Sequence, residues 1–198
     1  MFLYPVNLIL KDVPCLVVGG GAIAERKAES LINAGAKITL ISPVVTKKLE
    51  KIINAKIIVQ CKRKYRKGDL KGFFLIIAAT DESLINEKIY KEAQELGILI
   101  NCVDIPEKCN FYIPSVIQRG DLQLAISSSG KVPYFTKKLR EFLEGKFDNE
   151  FEKDLENLHQ LRKKIIEESG NDTALKERKF EELLKPRIAE IFKKIDNK

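Results

Sequence analysis

Residues 14–35 read PCLVVGGGAIAERKAESLINAG, and this stretch decides the fold. Pro14–Val18 is a compact apolar run bounded by a turn signal, the pattern of a buried strand. Gly19-Gly20-Gly21 breaks the run, and residues 22–34 carry apolar side chains at helical spacing until Gly35, the residue type that closes a helix. Gly19 to Ala24 therefore fit G-x-G-x-x-A between a strand and a helix. Gly19 permits the tight turn, Gly21 lets backbone approach a pyrophosphate, and Ala24 is small enough for helix and strand to pack. Amide groups at the helix start face an anion, which the helix dipole favours. The pattern points to a nucleotide; the alternative is a glycine turn that serves packing alone.

Outward from this motif, short apolar runs alternate with helical patterns. Strands are expected at 37–41, 56–61, 73–79 and 98–103, with helices at 46–53 and 82–96 between them. Continuous apolar strands separated by helices call for a parallel sheet covered on both faces, a Rossmann-like α/β domain. After Asn110 the pattern changes. Residues 111–118 and 122–127 read as a hairpin through Arg119-Gly120-Asp121, followed by a polar Ser127-Ser128-Ser129-Gly130 loop and a helix at 133–143. The remainder is helical, with Leu155, Leu158, Leu161 and Ile165 on one face and Pro186 expected to kink or restart a second segment. The expected division is 1–112 (Rossmann-like), 113–147 (small α+β) and 148–198 (helical).

The chain has 198 residues, 44% apolar and 32% charged, a globular rather than a disordered balance. Its longest uninterrupted apolar run, 73–79, is far short of the ~20 residues that cross a bilayer. The first residues, MFLYPVNLILKDV, lack a basic leader and a small-residue cleavage site, so a cytoplasmic location and no membrane partner are expected. Cys15, Cys61, Cys102 and Cys109 form no C-x-x-C pair, and His159 is the one histidine, so no metal site is expected. Net charge is +7, which suits an anionic small ligand. The basic cluster from Lys62 to Lys71 reads as a solvated loop, and without a recognised motif nucleic-acid binding is not expected.

Four further positions carry chemistry. The second strand ends at Ser42-Pro43, where an acid would mark NAD preference. Ser42 and adjacent backbone can serve the ribose, whereas Lys47 and Lys48 invite an extra phosphate, so NAD and NADP stay open on these residues. Ala79 and Thr80 close the fourth strand and leave room for a cofactor; Thr80 and Asp81 can also cap the next helix. Asp104 follows the fifth strand at the sheet's carboxyl edge, with Asn101 just before it. A carboxylate there suits proton removal or support of a cationic intermediate, against the alternative of an Asx turn before Pro106.

In order along the chain, VVGGGAIAERK (17–27), IAATDE (77–82), INCVDIPEKCNFYIPS (100–115), RGDLQLAISSSGKVP (119–133) and KKLREFLE (137–144) resemble the precorrin-2 dehydrogenase family, the NAD-dependent module of siroheme synthases. The resemblance covers roughly residues 4–145; beyond Phe147 it is one of helical character only. It implies oxidation of precorrin-2 to sirohydrochlorin with NAD as cofactor, a homodimer, and a middle dimerisation domain. It implies Asp104 as the catalytic aspartate and cofactor contacts at Gly21, Ala22, Ile23, Pro43 and Val44, beside the Gly19, Ser42, Ala79 and Thr80 read above. Some members also insert ferrous iron; a non-catalytic NAD-sensing module is the remaining alternative. A polycarboxylate substrate suits Arg119, Lys137 and the hydroxyls of Ser127, Ser128 and Ser129, with Asn101 counted among its contacts.

Overall fold

The computed structural model describes residues 3–103, 105–148 and 150–197. The chain divides into two compact units, Met1–Tyr112 and Ile113–Lys198.

In the first unit, β1 (Pro14–Val18), α1 (Ala22–Asn33), β2 (Lys37–Ile41), α2 (Lys47–Asn54), β3 (Val59–Cys61), β4 (Leu75–Ala78), α3 (Ser83–Leu96) and β5 (Leu99–Cys102) follow in order. The five strands form a parallel sheet in the order β3-β2-β1-β4-β5. Alternate residues of each central strand serve opposite faces. Cys15, Val17, Leu75 and Ile77 pack with Ala24, Ala28 and Leu31 of α1 and Leu49 of α2. Leu16, Val18, Ile76 and Ala78 pack with Ile89 and Ala93 of α3 and with Leu70. Burial on both faces explains why these strands read as unbroken apolar runs. The chain leaves β1 toward β2 on one side and reaches β4 on the other, so the sheet's switch point lies at the carboxyl end of β1, where ligands bind in such sheets.

Strands β3, β4 and β5 are shorter than the apolar pattern suggests, β5 by one residue at each end. Lys56 takes a left-handed backbone (φ 57°) as the chain leaves α2, so β3 starts only at Val59. Phe73 and Phe74 approach β4 through a turn, with Phe74 N–H donating to Pro14 O at 2.9 Å. The basic loop between β3 and β4 is knit from within. Arg63 makes two bonds to Asp69 at 2.6 and 2.8 Å, and buried Glu92 of α3 accepts from Tyr65 and the Gly68 and Leu70 amides.

The second unit begins with an antiparallel hairpin, β6 (Ser115–Arg119) and β7 (Leu122–Ile126), turned by Gly120 and Asp121. Gly120 supplies the left-handed conformation of this two-residue turn (φ 53°). β6 starts four residues later than expected, immediately after Pro114, which has no N–H for the ladder. Helix α4 (Pro133–Lys146) packs on the hairpin; α5 (Glu150–Ser169), α6 (Thr173–Lys179) and α7 (Lys185–Asp196) follow. A π turn, Phe180–Leu184, joins α6 to α7, and Pro186 sits in the first turn of α7, the restart that its missing N–H requires. Phe151, Ile165 and Ile191 are buried among these helices. Among the described residues no helix is long and apolar enough to cross a membrane.

Candidate active site

The three turn glycines have three different reasons to be glycine. Gly19 has φ 120°, and a Cβ there would lie 2.2 Å from the carbonyl oxygen of Ala79 beyond β4. Gly20 has no positive φ, but its Cβ would lie 2.0 Å from Val44 O in the loop after β2. At Gly21 a Cβ would meet nothing within 4 Å. Gly21 is the N-cap of α1, with no side chain capping the helix, and Gly21, Ala22 and Ile23 are exposed. The first amides of a helix have no intrahelical partner. They belong here to exposed residues at the switch point of the sheet, a place that suits a pyrophosphate.

The loop after β2 is fixed against this turn. Gly19 N–H donates to Ile41 O and Thr46 N–H to Gly20 O, each at 3.0 Å. Thr46 caps α2 by accepting from Leu49 N–H, and its hydroxyl donates to Glu25 Oε2 at 2.5 Å. Ser42 is buried, and its hydroxyl donates to Val44 O at 2.6 Å, so it shapes the loop rather than facing a ribose. Pro43 and Val44 are exposed beside it. Lys48, which the sequence offers to an extra phosphate, is turned onto Glu29 of α1, and that hydrogen bond raises its pKa above the ordinary lysine value.

Thr80 does not cap α3. Its hydroxyl donates to Asn86 Oδ1 at 2.7 Å, Asn86 Nδ2 donates back to Thr80 O at 2.9 Å, and the N-cap is Glu82 without a side-chain bond. Asn101 is buried on β5, where Nδ2 donates to Phe111 O at 3.0 Å and braces the chain returning from the loop. Asp104 lies outside the described residues. Just before it, Val103 N–H donates to Ala78 O at 2.9 Å, tying the end of β5 to the end of β4. Burial holds the nearby thiols neutral, pushing Cys102 up to about 12 and raising Cys109. Among the described residues no group of three or more His, Cys, Asp or Glu is placed to hold a metal ion.

Thus Gly19, Gly21, Ala22, Ile23, Ser42, Pro43, Val44, Ala79 and Thr80 gather at the carboxyl ends of β1, β2 and β4. Glu25 and Thr46, absent from the sequence reading, join them. Their signal was faint: a threonine before α2 and a glutamate in the first turn of α1 are common helix-end residues.

In the second unit the expected substrate residues separate. Ser128 Oγ accepts from Val132 N–H at 3.1 Å and Ser127 Oγ from Ser129 N–H at 3.2 Å, which places the serine loop at the start of α4. Arg119 lies at the hairpin tip and donates through Nε to Phe147 O at 2.5 Å, beyond the other end of the same helix. At ~1.5 Å per residue, α4 holds the two about 20 Å apart. Lys137, one turn in from the serines, stands 3.9 Å from Glu141.

A family model described as putative NAD(P)-binding matches residues 6–115, and one described as sirohaem biosynthesis protein, central, matches 119–146. A precorrin-2 dehydrogenase of Bacillus subtilis is 35% identical over 160 residues, 81% of this chain and 98% of that protein. A siroheme synthase of Photobacterium profundum is 41% identical over 140 residues; this is 71% of the chain but only 30% of the relative, so the chain spans under a third of such synthases. Among solved structures, the precorrin-2 dehydrogenase SirC superposes with a TM-score of 0.78 at 27% identity, covering 99% of this chain and 100% of that one.

Proposed function

The chain belongs to the precorrin-2 dehydrogenase family, and from that premise we propose that it oxidises precorrin-2 to sirohydrochlorin with NAD. The observation that carries this is the open space at Gly21, which directly follows two glycines packed against Ala79 beyond β4 and Val44 after β2. NAD bound there supplies the hydride acceptor. The amides of Gly21, Ala22 and Ile23 hold its pyrophosphate, Pro43 and Val44 line the ribose side, and Ala79 and Thr80 bound the β4 side. Asp104, the next residue after Val103, takes up the proton that leaves the macrocycle.

Residues 1–112 carry the cofactor, 113–147 pair two chains and contact substrate, and 148–198 complete a helical domain. Each serine of 127–129 keeps an O–H to donate even where its oxygen already accepts, so the loop at the start of α4 suits substrate carboxylates. Pairing of two chains is supported by Tyr134, Phe135 and Phe142 of α4, each more than half exposed. Sedimentation of the intact chain tests it: a dimer is expected, and a monomer at working concentrations contradicts it. The work is placed in the cytoplasm.

The function is tested by anaerobic turnover of Asp104→Ala and Asp104→Asn beside the natural chain. Loss of about 10²–10⁴ in kcat in both variants, with NAD binding retained, is expected for a proton acceptor. Turnover equal to that of the natural chain removes Asp104 from the reaction.

A further inference from the structure

The end of β2 lacks the carboxylate that ordinarily repels a 2′-phosphate on the adenosine ribose; Ser42 stands in its place, and two lysines open α2. By charge alone such a site should welcome the phosphorylated cofactor. The structure disposes of Lys48, the second of those lysines. Its Nζ contacts Glu29 Oε1 and lies 4.0 Å from Glu25 Oε1, two carboxylates one turn apart on α1. Glu25 uses its other oxygen to accept from Thr46, whose amide is bonded to Gly20 O. The ammonium is drawn back onto α1 between two carboxylates, while Lys47 stays exposed at the start of α2.

We propose that Glu25 and Glu29 set the preference of this site for NAD over its 2′-phosphorylated form by withholding Lys48 from the loop that follows β2. The inference rests on dinucleotide binding at the glycine turn. Both glutamates act through Lys48 and the loop, as positioning residues.

The test is the ratio of dissociation constants for NADP and NAD, measured on the full chain. The variants are Glu29→Gln, Glu25→Gln, and Glu29→Gln combined with Lys48→Ala. The natural chain should prefer NAD. Glu29→Gln should narrow the ratio by roughly threefold to tenfold, as expected when one cation is released beside a phosphate dianion. The gain should shrink in high salt and vanish when Lys48 is also removed. Gln at position 25 can still accept from Thr46, so that variant tests the charge if Glu29→Gln proves unstable. A ratio unchanged in both single variants, or a gain that survives loss of Lys48, overturns the inference while NAD binding stands. A natural chain that binds neither dinucleotide overturns the proposed function, and this inference with it.

Discussion

A Cβ on Gly20 would stand 2.0 Å from the carbonyl oxygen of Val44, whereas one on Gly21, the next residue, would touch nothing within 4 Å. Adjacent glycines of one motif therefore answer to different constraints: packing requires the first, and nothing in the fold around the second excludes a side chain.

Gly20→Ala forces backbone against backbone and should destabilise the first unit by about 1–3 kcal/mol, the usual cost of overpacking. Gly21→Ala should leave the melting temperature unchanged while weakening NAD about tenfold or more, equivalent to roughly 1.4 kcal/mol. Calorimetry of unfolding and of NAD binding on the two variants checks both halves. Equal behaviour of the pair would contradict the assignment.

Arg119 should act on stability rather than on substrate. Its guanidinium donates to Phe147 O and Gln118 O and lies 3.4 Å from Glu144 O, holding the hairpin tip to the end of α4. Arg119→Ala removes hydrogen bonds from a charged donor and should cost about 1.5–3 kcal/mol in the second unit. The KM for precorrin-2 should stay near that of the natural chain; a raised KM at unchanged stability would restore Arg119 to the substrate.

The loop between β3 and β4 should loosen in acid. Arg63 beside Asp69, helped by the Arg66 amide, lowers the Asp69 pKa below its ordinary value. A carboxylate whose folded pKa is depressed lends stability above the unfolded value of about 3.9, and this is lost as pH falls through the folded one. The protection factors of the amides at residues 63–70, which take out the intrinsic pH dependence of exchange, should therefore hold constant near neutrality and fall only below about pH 4. Asp69→Asn should abolish that step, and an exchange profile identical in the variant would count against it.

Much of the first unit was legible because its forces are local. A strand buried on both faces must be apolar throughout, and a glycine run marks the turn from strand to helix, so PCLVVGGG announced the sheet and the place of its switch point. The strand ends were less legible: the left-handed Lys56 and the missing N–H of Pro114 cut ladders short, while apolar composition runs on past both. Side-chain partners were least legible. Lys48 is open to a phosphate until Glu29 is seen on α1, and Arg119 and Ser127 read as suited to one substrate until the hairpin sends them to opposite ends of α4. Such pairings depend on how elements cross, which spacing along the chain does not record.

The most direct measurement is a single anaerobic turnover, with the chain in excess over enzymatically made precorrin-2 and NAD supplied. NADH and sirohydrochlorin should appear together in equal amounts, and neither should form when NAD is withheld. Sirohydrochlorin forming at the same rate without NAD, or NAD bound at the glycine turn with no NADH produced, would contradict this.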